Sequence, residues 1–139
     1  MSLIKQSSKD LYKELIKNGI KEANKQIFTK AEIYFQKAIE LDKKTHIAYI
    51  NLSNIYIIKN EINKGIKLLM EYIQKNSFDE IILNHTAKIL YNYKYKKDLL
   101  NLFKKIDLKS KKNFKKKYYL YFIQGLYYEG EEMYNNAEK

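Results

Sequence analysis

The chain repeats itself at a step of 34, and a repeat of that length restricts it to a stack of small similar layers. The stretch AEIYFQKAIELDKK, residues 31–44, reads as an amphipathic helix. Ala31, Phe35 and Ala38 share one face, and a break follows Asp42. A step of 34 turns Ala31 into Gly65 and then Leu99, Phe35 into Leu69 and Phe103, and Ala38 into Tyr72 and Ile106. A second series runs from Gly19 to Ser53 to Ala87. The next steps, Ala87 to Gly125 and Leu99 to Ala137, are both longer by four. One register therefore holds through three units and slips by four residues between Phe103 and Tyr121.

Each unit reads as two helices. In the second unit these are residues 48–56 and 62–73. Thr29 with Glu32, and Ser77 with Glu80, have the spacing of capping boxes that would open helices. Small residues at Gly19, Ser53 and Ala87 on the first helices, and at Ala31 and Gly65 on the second, allow the paired helices to approach closely. Leu99 breaks that series, so the third pair is expected to sit wider or to cross differently. A lone helix pair cannot bury its apolar face, and stacking makes the core continuous.

Composition agrees. The chain has no Pro and only 4 Gly in 139 residues, which leaves few helix stops, and 45% hydrophobic content suits a packed core. The expectation is one all-α domain over residues 1–139, with units at about 12–45, 46–79 and 80–113 and a partial unit at 118–139. No Cys is present, which excludes disulfides and thiolate chemistry. No apolar run approaches the roughly 20 residues of a membrane span, and MSLIKQSSKD lacks a signal-peptide core. The chain reads as soluble and cytoplasmic.

In this register the sequence resembles the tetratricopeptide repeat family. Its pattern of W-x2-L-G-x2-Y, then A-x3-F, then P is best matched by Tyr49, Leu52, Ser53, Tyr56, Gly65 and Leu69. The first unit matches through Leu15, Gly19, Ala31, Phe35 and Ala38, the last through Tyr121, Gly125, Tyr128, Tyr134 and Ala137. There is no Trp, and Lys43 and Ser77 stand where the terminal Pro would be. The resemblance implies antiparallel helix pairs stacked in a right-handed superhelix of three repeats and part of a fourth. It also implies a non-enzymatic adaptor that holds a peptide or protein in a concave face lined by the first helices.

Helical spacing supplies the residues of that face. The first unit offers Lys13, Ile16, Ile20 and Asn24, and the second Ile47, Ile50, Asn51, Asn54 and Ile58. The third offers Ile81, Asn84, His85, Lys88 and Asn92. Isoleucine gives apolar contact, and asparagine can donate to and accept from a peptide backbone. Several of these isoleucines could equally belong to the interhelix core. One subclass of the family grips the carboxylate tail of heat-shock chaperones with two Lys, two Asn and an Arg or Lys. By position, Ile16, Ile20, Asn51, Ile81 and His85 would carry that role, and only Asn51 has the required side chain. A chaperone-tail clamp is therefore not expected.

Nothing in the chain reads as catalytic. The 2 His, His46 and His85, lie far apart in the sequence and on different helix faces, and the 4 Gly are isolated. No nucleophile has a base at a recognisable spacing, and Glu131 and Glu132 read as helix-start acids. Neither metal nor cofactor is expected.

Two features remain. The net charge is +11, with every basic residue a Lys, in a chain dominated by Lys, Asn, Ile and Tyr, whose codons are AT-rich. Residues 104–117 concentrate eight of the lysines: Lys104, Lys105, Lys109, Lys111, Lys112, Lys115, Lys116 and Lys117. That run reads as the connection between the third and fourth pairs. The bland reading is a solvated loop; the alternative is an anion-binding patch for an acidic protein partner, nucleic acid or an acidic membrane surface. Residues 118–128, YYLYFIQGLYY, make a poor polar end for a repeat array. The expectation there is that the natural chain continues, or that this helix stacks on another copy in a self-assembling segment.

Overall fold

A computed structural model describes residues 7–110, with side chains described through residue 105. It holds six helices: α1 (Ser8–Asn24), α2 (Phe28–Leu41), α3 (His46–Ile58), α4 (Ile62–Lys75), α5 (Glu80–Asn92) and α6 (Lys96–Ser110). No strand occurs among the described residues.

The step of 34 fixes the helix ends. The first helices of the three pairs end at Asn24, Ile58 and Asn92, and the second helices begin at Phe28, Ile62 and Lys96. Between them the chain turns in the same way each time. Gln26, Asn60 and Lys94 take left-handed backbone with φ of 63°, 63° and 64°. Their amides donate three residues back, to the carbonyls of Ala23, Ile57 and Tyr91. The following amides, of Ile27, Glu61 and Tyr95, donate five back, to Glu22, Tyr56 and Leu90 at 3.0, 2.7 and 2.8 Å. This paired pattern closes a helix C-terminus by using carbonyls that have no partner inside the helix. The carbonyls of Ile27, Glu61 and Tyr95 then accept from Ala31, Gly65 and Leu99, so the same residue also starts the next helix.

That double use corrects the first of the two expected capping boxes. Ile27, not Thr29, is the N-cap of α2, and it makes no side-chain cap bond. The left-handed turn at Gln26 delivers the chain into α2 early and leaves Thr29 inside the helix. The second box is corrected too. Asp79, not Ser77, caps α5, its carboxylate accepting from the amides of Ile81 and Ile82 at 3.1 and 3.3 Å. α1 begins at Ser8, four residues before the expected start, because Ser7 caps it by accepting from the Asp10 amide. In the second pair, α3 runs two residues beyond each expected end of 48–56, and α4 reaches Lys75 rather than residue 73.

The chain divides into two compact units, the first ending at Asn76 and the second starting at Ser77. In the first, α1 packs on α2, α3 on α4, and α3 on both α1 and α2. Its core joins Ala31, Phe35, Leu52, Ile55 and Tyr56, beside a smaller cluster of Tyr12, Ala38 and Ala48. Ile16 and Ile39 pack against both clusters. In the second unit α5 packs on α6, burying Ala87, Leu90, Leu99, Leu102 and Phe103. Leu99, at the position of Ala31 and Gly65, is buried in that pair.

The two packed glycines do different work. A Cβ on Gly19 would fall 2.5 Å from the Phe35 ring, which is itself only 1% exposed. A Cβ on Gly65 would fall 3.2 Å from the Ser53 carbonyl oxygen. Alanine gains about 1 kcal/mol over glycine in a helix interior, whereas overpacking a filled core costs about 1–3 kcal/mol. Gly19→Ala is therefore expected to lose about 1–2 kcal/mol, because the Phe35 ring has nowhere to move. Gly65→Ala needs a shift of only a few tenths of an ångström and should stay within about 0.5 kcal/mol of the parent. Urea unfolding of the two variants checks this, and equal losses would contradict it.

Candidate partner-binding face

The face begins at the turn joining α2 to α3, residues 42–45. Asp42 organises it: its carboxylate accepts from the Lys44 amide at 2.9 Å and from the Thr45 hydroxyl at 2.6 Å. These bonds hold its carboxyl below the usual pKa, the Thr45 bond most strongly. Thr45, the N-cap of α3, thus commits its hydroxyl to Asp42 and makes no cap bond. The Tyr12 hydroxyl, from α1, accepts from the Ala48 amide at 3.1 Å instead and serves as a cap supplied by the preceding repeat. From α4, the Tyr72 hydroxyl donates to the Lys44 carbonyl at 2.9 Å, and the Asn76 side-chain amide, just beyond that helix, donates to the Lys43 carbonyl at 3.3 Å. The Tyr72 ring stands edge-on to Tyr49, with centroids 4.8 Å apart.

None of the residues predicted for the inner face is buried. On α1, Lys13, Ile20 and Asn24 divide unequally: Lys13 and Ile20 are exposed and Asn24 lies at the helix end, while Ile16 is half-buried and belongs in part to the core. On α3, Ile47, Asn54 and Ile58 stand among the more open positions, and Ile50 and Asn51 are half-buried. One Asn51 donor is already used on the Ile47 carbonyl at 2.9 Å, which reduces what it can offer a peptide backbone. On α5, Ile81, Lys88 and Asn92 are exposed and Asn84 and His85 half-buried. The Asn84 Oδ1 is sealed from solvent with no hydrogen-bond partner among the described residues. Burial, with some help from the Lys88 ammonium, pushes the His85 imidazole below its usual pKa.

Where α1 meets α3, a cleft of about 570 Å³ opens beside the turn. Tyr12, Ile16, Leu41 and Ile47 give it mainly apolar walls, with Lys9, Lys13 and Asp42 at its edges. Helical spacing identifies Lys13, Ile16 and Ile47, but not Tyr12, Leu41 or Asp42. The Asp42–Thr45 spacing, a local turn motif, is the signal that could have placed this wall.

The lysine run is helical at its start. Residues 104–110 continue α6, which corrects the expected connection, and Lys104 and Lys105 are exposed. Lys109 lies on that helix, whereas Lys111, Lys112, Lys115, Lys116 and Lys117 fall outside the described residues, as does the aromatic stretch 118–128. Among the described residues no three His, Asp or Glu side chains gather as a metal site, and no helix is long and apolar enough to cross a membrane. No family model, no curated protein and no solved structure matches the chain.

Two substitutions test the turn. Tyr12→Phe strands the buried Ala48 amide and is expected to lose about 1–3 kcal/mol. Tyr72→Phe frees a carbonyl that is only partly buried and should lose about 1 kcal/mol or less. Thermal unfolding of both variants ranks them, and a smaller loss for Tyr12→Phe would contradict the assignment. Asp42 adds a pH dependence. A carboxyl with a depressed folded pKa stabilises the fold above its unfolded value of about 3.9, and the stabilisation fades as pH falls through the folded value. Asp42→Ala should therefore be less stable than the parent at pH 7, with the gap narrowing below about pH 4. A gap that is constant with pH in urea titrations would exclude ionised Asp42 as the clasp.

Proposed function

We propose that the chain is a non-enzymatic protein-interaction module of the tetratricopeptide kind. In this reading it is an adaptor whose first helices hold a peptide or protein partner, and its helix pairs continue as a right-handed superhelix in the cytoplasm. The observation that carries the reading is the exposure of isoleucine on the first helices of the first unit: Ile20 at 41% on α1, and Ile47 at 42% and Ile58 at 59% on α3. Single exposed apolar residues are ordinary. Residues 47, 50, 54 and 58, however, fall on one face of α3, and that helix has no Lys, Asp or Glu along its length. Such a surface suits apolar contact without charge selection. Its asparagines can meet a partner's backbone.

The exposure of Lys104 and Lys105 on α6 favours a second reading, an anion-binding module for nucleic acid or an acidic membrane. The two readings separate by salt. In a pull-down from nuclease-treated source lysate, the adaptor reading expects a discrete protein retained at moderate salt. That protein should be lost with the combined Ile50→Asp and Ile81→Asp variant, whose helicity by circular dichroism should match the parent. Retention by the variant would remove this face from the account. Binding that vanishes with salt or nuclease would transfer the role to the lysine run.

A further inference from the structure

We infer that the cleft between α1 and α3 is an anchor point for an acidic amphipathic segment of a partner. A large apolar side chain would sit on Ile16, Leu41 and Ile47, with a neighbouring carboxylate paired to Lys9 or Lys13. The inference rests on the proposed partner-holding role and deepens it.

Three observations specify the occupant. First, the cleft encloses about 570 Å³ between mainly apolar walls, so an entering apolar side chain strips water from few polar groups. Second, Lys9 and Lys13 stand exposed at its edge, and neither has an ion-pair partner among the described residues. Lysine stems can lie along an apolar rim and leave their ammonium groups free to meet an anion. Third, the Asp42 carboxylate is turned to internal use by the Lys44 amide and the Thr45 hydroxyl. A basic segment would meet two uncompensated lysines, while an acidic one completes them. A second copy of this chain, with net charge +11, is disfavoured by the same sign rule.

Panning a random-peptide phage library on the full chain at moderate salt, with counter-selection on the bare support, tests this. Ile47 is exposed in the first turn of α3, where a carboxylate is favourable to the helix, so the variant should fold. The enriched peptides should carry Asp or Glu beside Leu, Ile or Phe. Measured by fluorescence anisotropy, their Kd should rise more than about thirtyfold with Ile47→Asp. Lys13→Glu should raise it about fivefold, and the distant exposed Lys30→Glu should leave it unchanged. Enriched peptides without acids, or unchanged binding by Lys13→Glu, would overturn the inference. Peptides lost with Ile81→Asp but kept by Ile47→Asp would remove the cleft and leave the partner-holding role standing. Failure to enrich any peptide would count against both.

Discussion

The left-handed turn within each helix pair is the constraint on which the other packing depends. It joins two helices with one residue of positive φ, and its two backward hydrogen bonds fix the direction in which the second helix leaves. Glycine is the usual residue for that backbone, yet Gln26, Asn60 and Lys94 occupy it. A non-glycine residue held there costs about 1–2 kcal/mol. The cost is tolerated because the turn sets Gly19 against Phe35 and Gly65 against the Ser53 backbone. Fully burying a side chain such as Phe35 contributes about 2–3 kcal/mol.

Within the first unit, the polar bonds at the α2–α3 turn tie one helix pair to the next. Tyr12 reaches forward to the Ala48 amide, and Tyr72 and Asn76 reach back to the carbonyls of Lys44 and Lys43. A buried backbone group without a partner is costly, so neither pair is self-sufficient. The exposed ion pairs add less. Lys59 bridges Glu32 and Glu61 at 3.2 and 3.3 Å. That bridge raises the lysine pKa and lowers that of Glu61, but both groups stay in water, where such pairs contribute little.

Much of this architecture is legible in the sequence, because the periodic residues that reveal the repeat are those the helices bury. Ala31, Phe35, Ala38, Ser53, Leu69, Tyr72 and Ala87 are all buried. The starts of the helices are less legible. A capping box is a pattern of side chains, whereas α2 and α4 begin without a side-chain cap, from a turn held by backbone bonds, and α5 takes its cap from Asp79. The candidate face is legible as a list of helix positions. The cleft is not, because Leu41 and Asp42 come from a helix end and a turn, where a period of 3.6 carries no information.

The shared turn would let a repeat be lifted out. Residues 27–60 begin and end at equivalent points, so removing them would join Gln26 to Glu61 through the same backbone geometry. The polar caps would object. The deletion would remove the Ala48 amide that Tyr12 caps, while α5 would keep its own cap from Asp79. The units are interchangeable in their turns and individual in their caps. The order of the repeats is thus written in hydroxyls and carboxylates, while the turns alone would permit any order.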